Sequence, residues 1–107
     1  MAQGRAIYAT CMGCHSPERH RTGPQHCGLI GRKAGSAVGF DYSLAMQQSD
    51  IIWTKKTLDD FLTAPLRVIP GTKMAIAGIS NKVDRANLIS YLISLNQDAK
   101  CQYKEIP

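Results

Sequence analysis

Residues 11–15 read Cys-Met-Gly-Cys-His, which packs two thiols and an imidazole into five positions near the start of the chain. A CxxC pair alone has several meanings, and the adjacent histidine narrows them, because CxxCH is the attachment sequence for a c-type haem. Each thiol, Cys11 and Cys14, would add to a vinyl group of the porphyrin, and a neutral nitrogen of His15 would become an axial ligand of the iron. Two other chemistries are open to these residue types. Cys11, Cys14, His26 and Cys27 offer soft and borderline ligands to a tetrahedral zinc, although adjacent His26 and Cys27 close such a site awkwardly. A redox-active dithiol normally sits beside a βαβ unit, and no such pattern is present. Both leave His15 and the later methionine loop without a role.

An iron bound by His15 has a second axial position, for which the thioether of methionine is suited. The chain offers Met1, Met12, Met46 and Met74. Met12 lies inside the attachment loop and Met1 at a terminus prone to fraying. Met46 follows Leu44-Ala45 and reads as a flexible core filler. Met74 follows Pro70-Gly71-Thr72-Lys73 in a turn-rich loop, which can present a side chain without a helix dictating its direction, so the chemistry favours Met74 while leaving Met46 open.

The elements that must position these residues are helical. A helix is expected over 4–14, with Ile7, Tyr8 and Cys11 on one side and the CMGCH cluster closing it. Residues 16–43 hold five glycines and two prolines and read as loop. Thr54 is placed to cap a helix from Lys55 to about Ala64, with Leu58, Phe61 and Leu62 as its apolar stripe and Pro65 as its stop. Asn81, with Asp84 three residues on, starts a helix whose Leu88, Tyr91, Leu92 and Leu95 share a face. Alternating strand patterns and internal repeats are absent from the sequence, so the fold class expected is all-α: one domain over 1–95, of short helices and long loops, then a polar tail over 96–107. Loops of this length bury little apolar surface of their own, and a buried prosthetic group would organise them.

With 107 residues there is room for one domain whose core is marginal without such help. No run approaches the roughly 18 apolar residues a membrane span needs, so no stable membrane insertion is expected. An export signal is not recognisable at the start and is expected to lie outside the sequence given. The 13 Lys and Arg against 8 Asp and Glu leave a formal charge of +5, which suits an acidic partner but equally an ordinary solvated surface. Those basic residues are scattered without a nucleic-acid motif, so nucleic acid is not an expected partner.

Several short stretches occur in one order along the chain: CMGCH, Thr22-Gly23-Pro24, Gly28-Leu29-Ile30-Gly31-Arg32, Gly39-Phe40-Asp41-Tyr42, Ile52-Trp53, Pro70-Gly71-Thr72-Lys73-Met74, and Arg85-Ala86-Asn87-Leu88-Ile89-Ser90-Tyr91-Leu92. On these, the sequence resembles the class I cytochromes c, the mitochondrial-like group that includes bacterial cytochromes of similar length, from Gly4 to about Leu95. The resemblance implies one covalently attached haem c and a one-electron carrier rather than an enzyme. It implies Met74 as the sixth ligand and the Pro24 carbonyl as acceptor for the His15 ring N–H. Tyr42 and Trp53 would donate to a buried haem propionate with Arg32 nearby, and Thr72 would hydrogen-bond near the same propionates. Tyr8, Leu88 and Tyr91 would form the contact between first and last helices. The rival roles are an electron-entry domain of a larger redox enzyme and a weak peroxidase or gas binder formed when Met74 dissociates.

The chain departs from the family pattern at three places. Phe61 stands where a tyrosine is common, and Met46 where an asparagine is common. The methionine side should therefore be drier, and loss of Met74 should need a higher pH than in relatives with both polar groups. The third departure is the cysteine pair left after haem attachment, Cys27 and Cys101, for which a disulfide tying the tail to the early loop is expected in an oxidising compartment, the alternatives being free thiols or an intermolecular link. Closing a loop of about 75 residues would contribute roughly 4 kcal/mol in the chain-entropy account. By resemblance the haem edge, ringed by Arg67, Lys73 and Lys82, would meet acidic-surfaced redox proteins, with the chain a monomer in a bacterial periplasm. His20 and His26 read as loop residues near the proximal side.

Overall fold

The computed structural model describes residues 2–97 and Cys101; Met1 and most of the tail expected over 96–107 lie outside the described residues. In chain order the helices are α1 (Ala2–Ala9), α2 (Leu44–Gln47), α3 (Lys55–Thr63), α4 (Pro65–Val68) and α5 (Lys82–Ser94), with a 3₁₀ turn at Leu95–Gln97. No strand forms among the described residues; one isolated antiparallel bridge joins Lys33 to Ile52.

α1 and α5 cross in close contact, and Gly4 sets how close. A Cβ at Gly4 would run into the Asn87 carbonyl oxygen, and would lie 2.9 Å from Tyr91 Cβ. Tyr8 is 2% exposed and its ring lies 5.0 Å from that of Tyr91, with fully buried Leu88 in the same core. The first helix is shorter than the expected 4–14. It ends at Ala9, and the chain continues as tight turns in which the N–H groups of Thr10, Cys11 and Met12 each donate three residues back. The N–H groups of Cys14 and His15 then both donate to the Cys11 carbonyl, at 3.1 and 2.9 Å. The cluster is thus a knot after the helix rather than its last turn.

Thr54 caps α3 as expected, in a reciprocal box with Thr57, an arrangement that stabilises a helix start by about 1 kcal/mol. Leu58, Phe61 and Leu62 are its buried stripe. Pro65 does more than stop that helix. It sits at the first position of α4, where a missing N–H costs nothing, and Ala64, at φ −158° and ψ 83°, bends the chain between the two. Asn81 caps α5 by accepting from Asp84 N–H at 2.9 Å.

α3 is joined to α5 by an ion pair from Arg85 Nε to Asp59 at 2.8 Å. Arg85, only 11% exposed, also donates to the carbonyls of Ile79 and Ser80, which anchors the far end of the methionine loop. Cys27 and Cys101 are joined by a disulfide with Cα atoms 5.1 Å apart, and both are buried in the core cluster.

Candidate functional site

Between these elements lies one apolar cavity of about 570 Å³. It falls within the size range of cofactor sites. Cys11, Cys14 and His15 line it from the turn after α1, and Met74 lines it from the loop before α5. Buried aliphatic side chains, among them Leu29, Leu58, Leu88 and Leu92, make up much of the rest.

His15 is 8% exposed, and its Nδ1 lies 3.0 Å from the Pro24 carbonyl oxygen. A carbonyl only accepts, so Nδ1 carries the proton and the Nε2 lone pair is left free to act as a ligand. Burial lowers the imidazole's proton affinity, and the Pro24 contact offsets part of this. Gly23, whose N–H donates to the Cys14 carbonyl at 2.7 Å, lies against the His15 ring, and any Cβ there would overlap it. Cys11 is half-buried and Cys14 exposed, and neither is bridged. Burial pushes the Cys11 thiol up, with Thr10 lowering it and Cys14 raising it further.

Arg32 is held by two carbonyls, Gln25 O at 3.0 Å and Cys27 O at 3.3 Å, with no carboxylate partner among the described residues. Burial lowers its pKa and the nearby Tyr42 raises it, yet a guanidinium stays charged in proteins. Tyr42 accepts from Ala37 N–H at 3.1 Å, which leaves its own hydroxyl proton to give. Trp53 is 6% exposed and packs edge-on against Phe61 at 5.2 Å. Its main chain exchanges bonds with Gly31 and Arg32, the residue lines the cavity, and its indole N–H has no protein acceptor among the described residues. A fixed cation and two donors at an apolar cavity suit an anionic group.

Thr72 is buried and its hydroxyl accepts from Met74 N–H at 3.2 Å, which anchors the backbone that presents the thioether. Met46 also lines the cavity, from α2, so the geometry offers two methionines to it. Phe61 and Met46 bring no polar atom beyond a thioether to that side. Arg67 and Lys82 are exposed, at the end of α4 and the start of α5. Lys73 is exposed too, but its ammonium is tied to Asp41, donating to the carbonyl at 3.1 Å and lying 3.7 Å from the carboxylate.

One feature has no signal in the sequence. His26 is no ordinary loop residue: its ring stacks on His15 with centroids 4.3 Å apart, and Tyr8 Oη lies 2.9 Å from its Nδ1. Burial, then the neighbouring His15 and Arg32, push it down to about 3, which keeps it neutral. No periodicity links residues 8, 15 and 26, so no sequence signal could have grouped them. His20, by contrast, is a loop staple, its Nε2 donating to Val38 O at 2.7 Å and its Nδ1 accepting from Gln25 N–H at 3.1 Å. Among the described residues no group of three or more His, Cys, Asp or Glu stands close enough to hold a metal ion, since Cys27 is bridged and His26 is bonded to Tyr8; the zinc reading has no site. A haem fits: two free thiols, one imidazole with a free nitrogen, two thioethers and a guanidinium with no carboxylate partner among the described residues all line one apolar cavity.

No family model matches the chain. Known proteins do. It is 43% identical to cytochrome c2 of Agrobacterium tumefaciens (strain II Chrys) over 99 residues, covering 87% of this chain and 89% of that one. It is 42% identical to cytochrome c of Cannabis sativa over 93 residues, covering 83% and 84%. The fold superimposes on cytochrome cH from Methylobacterium extorquens with a TM-score of 0.84 at 36% identity, covering 87% of this chain and 96% of that one. The chain belongs to the class I cytochromes c, electron-transfer proteins rather than enzymes, and carries one covalently bound haem c.

Proposed function

We propose that Cys11 and Cys14 form the thioether links, that His15 and Met74 fill the two axial positions, and that the chain shuttles single electrons between acidic-surfaced redox proteins. The observation that carries this reading is the convergence of those four side chains on one apolar cavity. When bound, the haem supplies the Fe(III)/Fe(II) couple.

The residues around it do the rest. Pro24 holds the proton on His15 Nδ1, so that Nε2 stays a neutral donor. Thr72 fixes the Met74 backbone. With both ligands supplied by the chain, substrate has no coordination site. The apolar lining makes the extra charge of the ferric state costly, which raises the potential. Arg32, with the Tyr42 hydroxyl and the Trp53 indole, would offset the propionates. Both methionines pack against the core, and we favour Met74 over Met46 because Met46 sits in a helix capped by Ser43, whereas Met74 belongs to a loop whose backbone is tied to present it.

Arg67 and Lys82 would steer acidic partners to the haem edge, with Lys73 contributing less while Asp41 holds it. The Cys27–Cys101 bridge and the thioether links suit an oxidising compartment, and the periplasm of a bacterium is the one we propose, with a respiratory chain as the setting. The deciding experiment is the visible spectrum of the pure protein, oxidised and reduced. Sharp low-spin bands on reduction and a weak far-red methionine-to-iron band on oxidation are expected; a high-spin spectrum without that band would refute the Met74 assignment. Electron transfer to an acidic redox protein should slow as salt is added, and a salt-independent rate would remove the steering argument.

A further inference from the structure

His26 is the ring at the cavity that the proposed function leaves without work. Its placement is over-determined. The main-chain N–H donates to Pro17 O at 3.0 Å, its carbonyl accepts from Leu29 N–H at 3.0 Å, and the next residue, Cys27, donates to Pro17 O at 2.7 Å. One hydrogen bond, 2.9 Å long, joins the Tyr8 hydroxyl to His26 Nδ1, and neither group has another side-chain partner among the described residues. Tyr8 in turn is wedged in the α1–α5 crossing against Tyr91.

An apolar side chain in this place would pack without the cost of desolvating two polar groups, so packing alone does not account for the pair. Its contact with His15 gives a reason. The single bond from His15 Nδ1 to Pro24 O fixes which nitrogen carries the proton, but one hydrogen bond leaves a ring free to rock about the donor–acceptor line. A flat ring 4.3 Å away and inclined by 25° restricts that motion.

We propose that Tyr8 and His26 are positioning residues for His15: the hydrogen-bonded pair holds the plane of the ligand imidazole, and so the direction in which iron and porphyrin orbitals overlap. This rests on His15 being the iron's ligand. Through it, the junction of the first and last helices sets where on the haem the unpaired electron of the ferric state is spread, and so the edge by which electrons leave.

The test is proton NMR and electron paramagnetic resonance of the ferric holoprotein, comparing wild type with Tyr8→Phe, His26→Leu and the double variant. The four haem-methyl resonances, shifted by the unpaired electron, report the ligand plane. His26→Leu should change their order and spread, with the far-red methionine band retained. Tyr8→Phe should shift them in the same sense by less, and the double variant should match His26→Leu, because both changes break one linkage. Should His26→Leu fail to fold because the Tyr8 hydroxyl is orphaned, the double variant has no orphan and gives the answer. Folded variants that lose thermal stability but keep the wild-type methyl pattern would show the pair to be structural and overturn the inference alone. A wild type whose ferric iron carries no imidazole, read as the absence of hyperfine-shifted ring-proton resonances from a ligated histidine, would overturn the His15 reading and this inference with it.

Discussion

The two sides of the haem cavity are built differently. On the histidine side, the turn after α1 and the loop through Arg32 are crossed by ties from many directions: Gly23 to Cys14, His26 and Cys27 to Pro17, Arg21 to Met12, His20 to Gln25 and Val38, Arg32 to Gln25 and Cys27, and the covalent bridge to Cys101. On the methionine side, the loop is anchored at its ends, by Ile69 and Thr72 at one and by Ile79 and Arg85 at the other. Between them Lys73 reaches Asp41, Met74 leans on Thr72, and Ala75 to Ala77 are exposed. Local opening is easiest where few contacts leave a segment. The methionine loop is therefore the side that opens first, and the histidine side is the frame that stays.

The sharpest way to break this comparison is at the ligands. His15→Ala should abolish low-spin holoprotein, read as loss of covalently bound haem and of the reduced bands, because the frame then holds no iron donor. Met74→Ala should leave the haem attached and the histidine side intact, while removing the far-red band and lowering the reduction potential substantially. A loss of haem attachment in Met74→Ala equal to that in His15→Ala would collapse the distinction between the two sides.

The bridge comes next. Its cysteines are 74 residues apart, and replacing both with serine should cost about 4 kcal/mol as an upper figure from chain entropy, read as a fall in the urea midpoint. The far-red band should survive at neutral pH in the folded variant, since the bridge lies outside the methionine loop. Gly23→Ala should cost about 1–3 kcal/mol, the usual range for overpacking, because the new methyl overlaps the His15 ring; a stability equal to wild type would mean that the ring does not sit where the frame holds it. The smallest effect expected is on the methionine side. Phe61→Tyr with Met46→Asn brings polar atoms to a lining that has few, and a spectroscopic pH titration should show Met74 lost at lower pH than in wild type. An unchanged or higher midpoint would mean that dryness of this side does not control the ligand.

How much of this was legible in the sequence follows the range of the interactions involved. Thr54 and Asn81 cap α3 and α5 where expected, since a cap is decided by a side chain and a backbone N–H three residues on. α1 ends several residues before the expected position, because apolar spacing continues through Cys11 while the backbone already tightens into turns at Thr10. In the sequence Pro65 reads as a stop, although a proline equally starts a helix, and only the bend at Ala64 decides which.

The sequence by itself determined the chemistry of the attachment site, because Cys11, Cys14 and His15 lie within one turn and no fold is needed to bring them together. It also determined that something must organise the loops, since their glycines and prolines leave too little apolar surface to fold alone. Tertiary structure decided the rest: that Met46 and Met74 both reach the cavity, that Lys73 is engaged by Asp41, and that Tyr8, His15 and His26 meet in one cluster. These contacts join residues with no fixed spacing, and their partners are chosen by which helix faces which, a choice made by the α1–α5 crossing at Gly4 rather than by any local propensity.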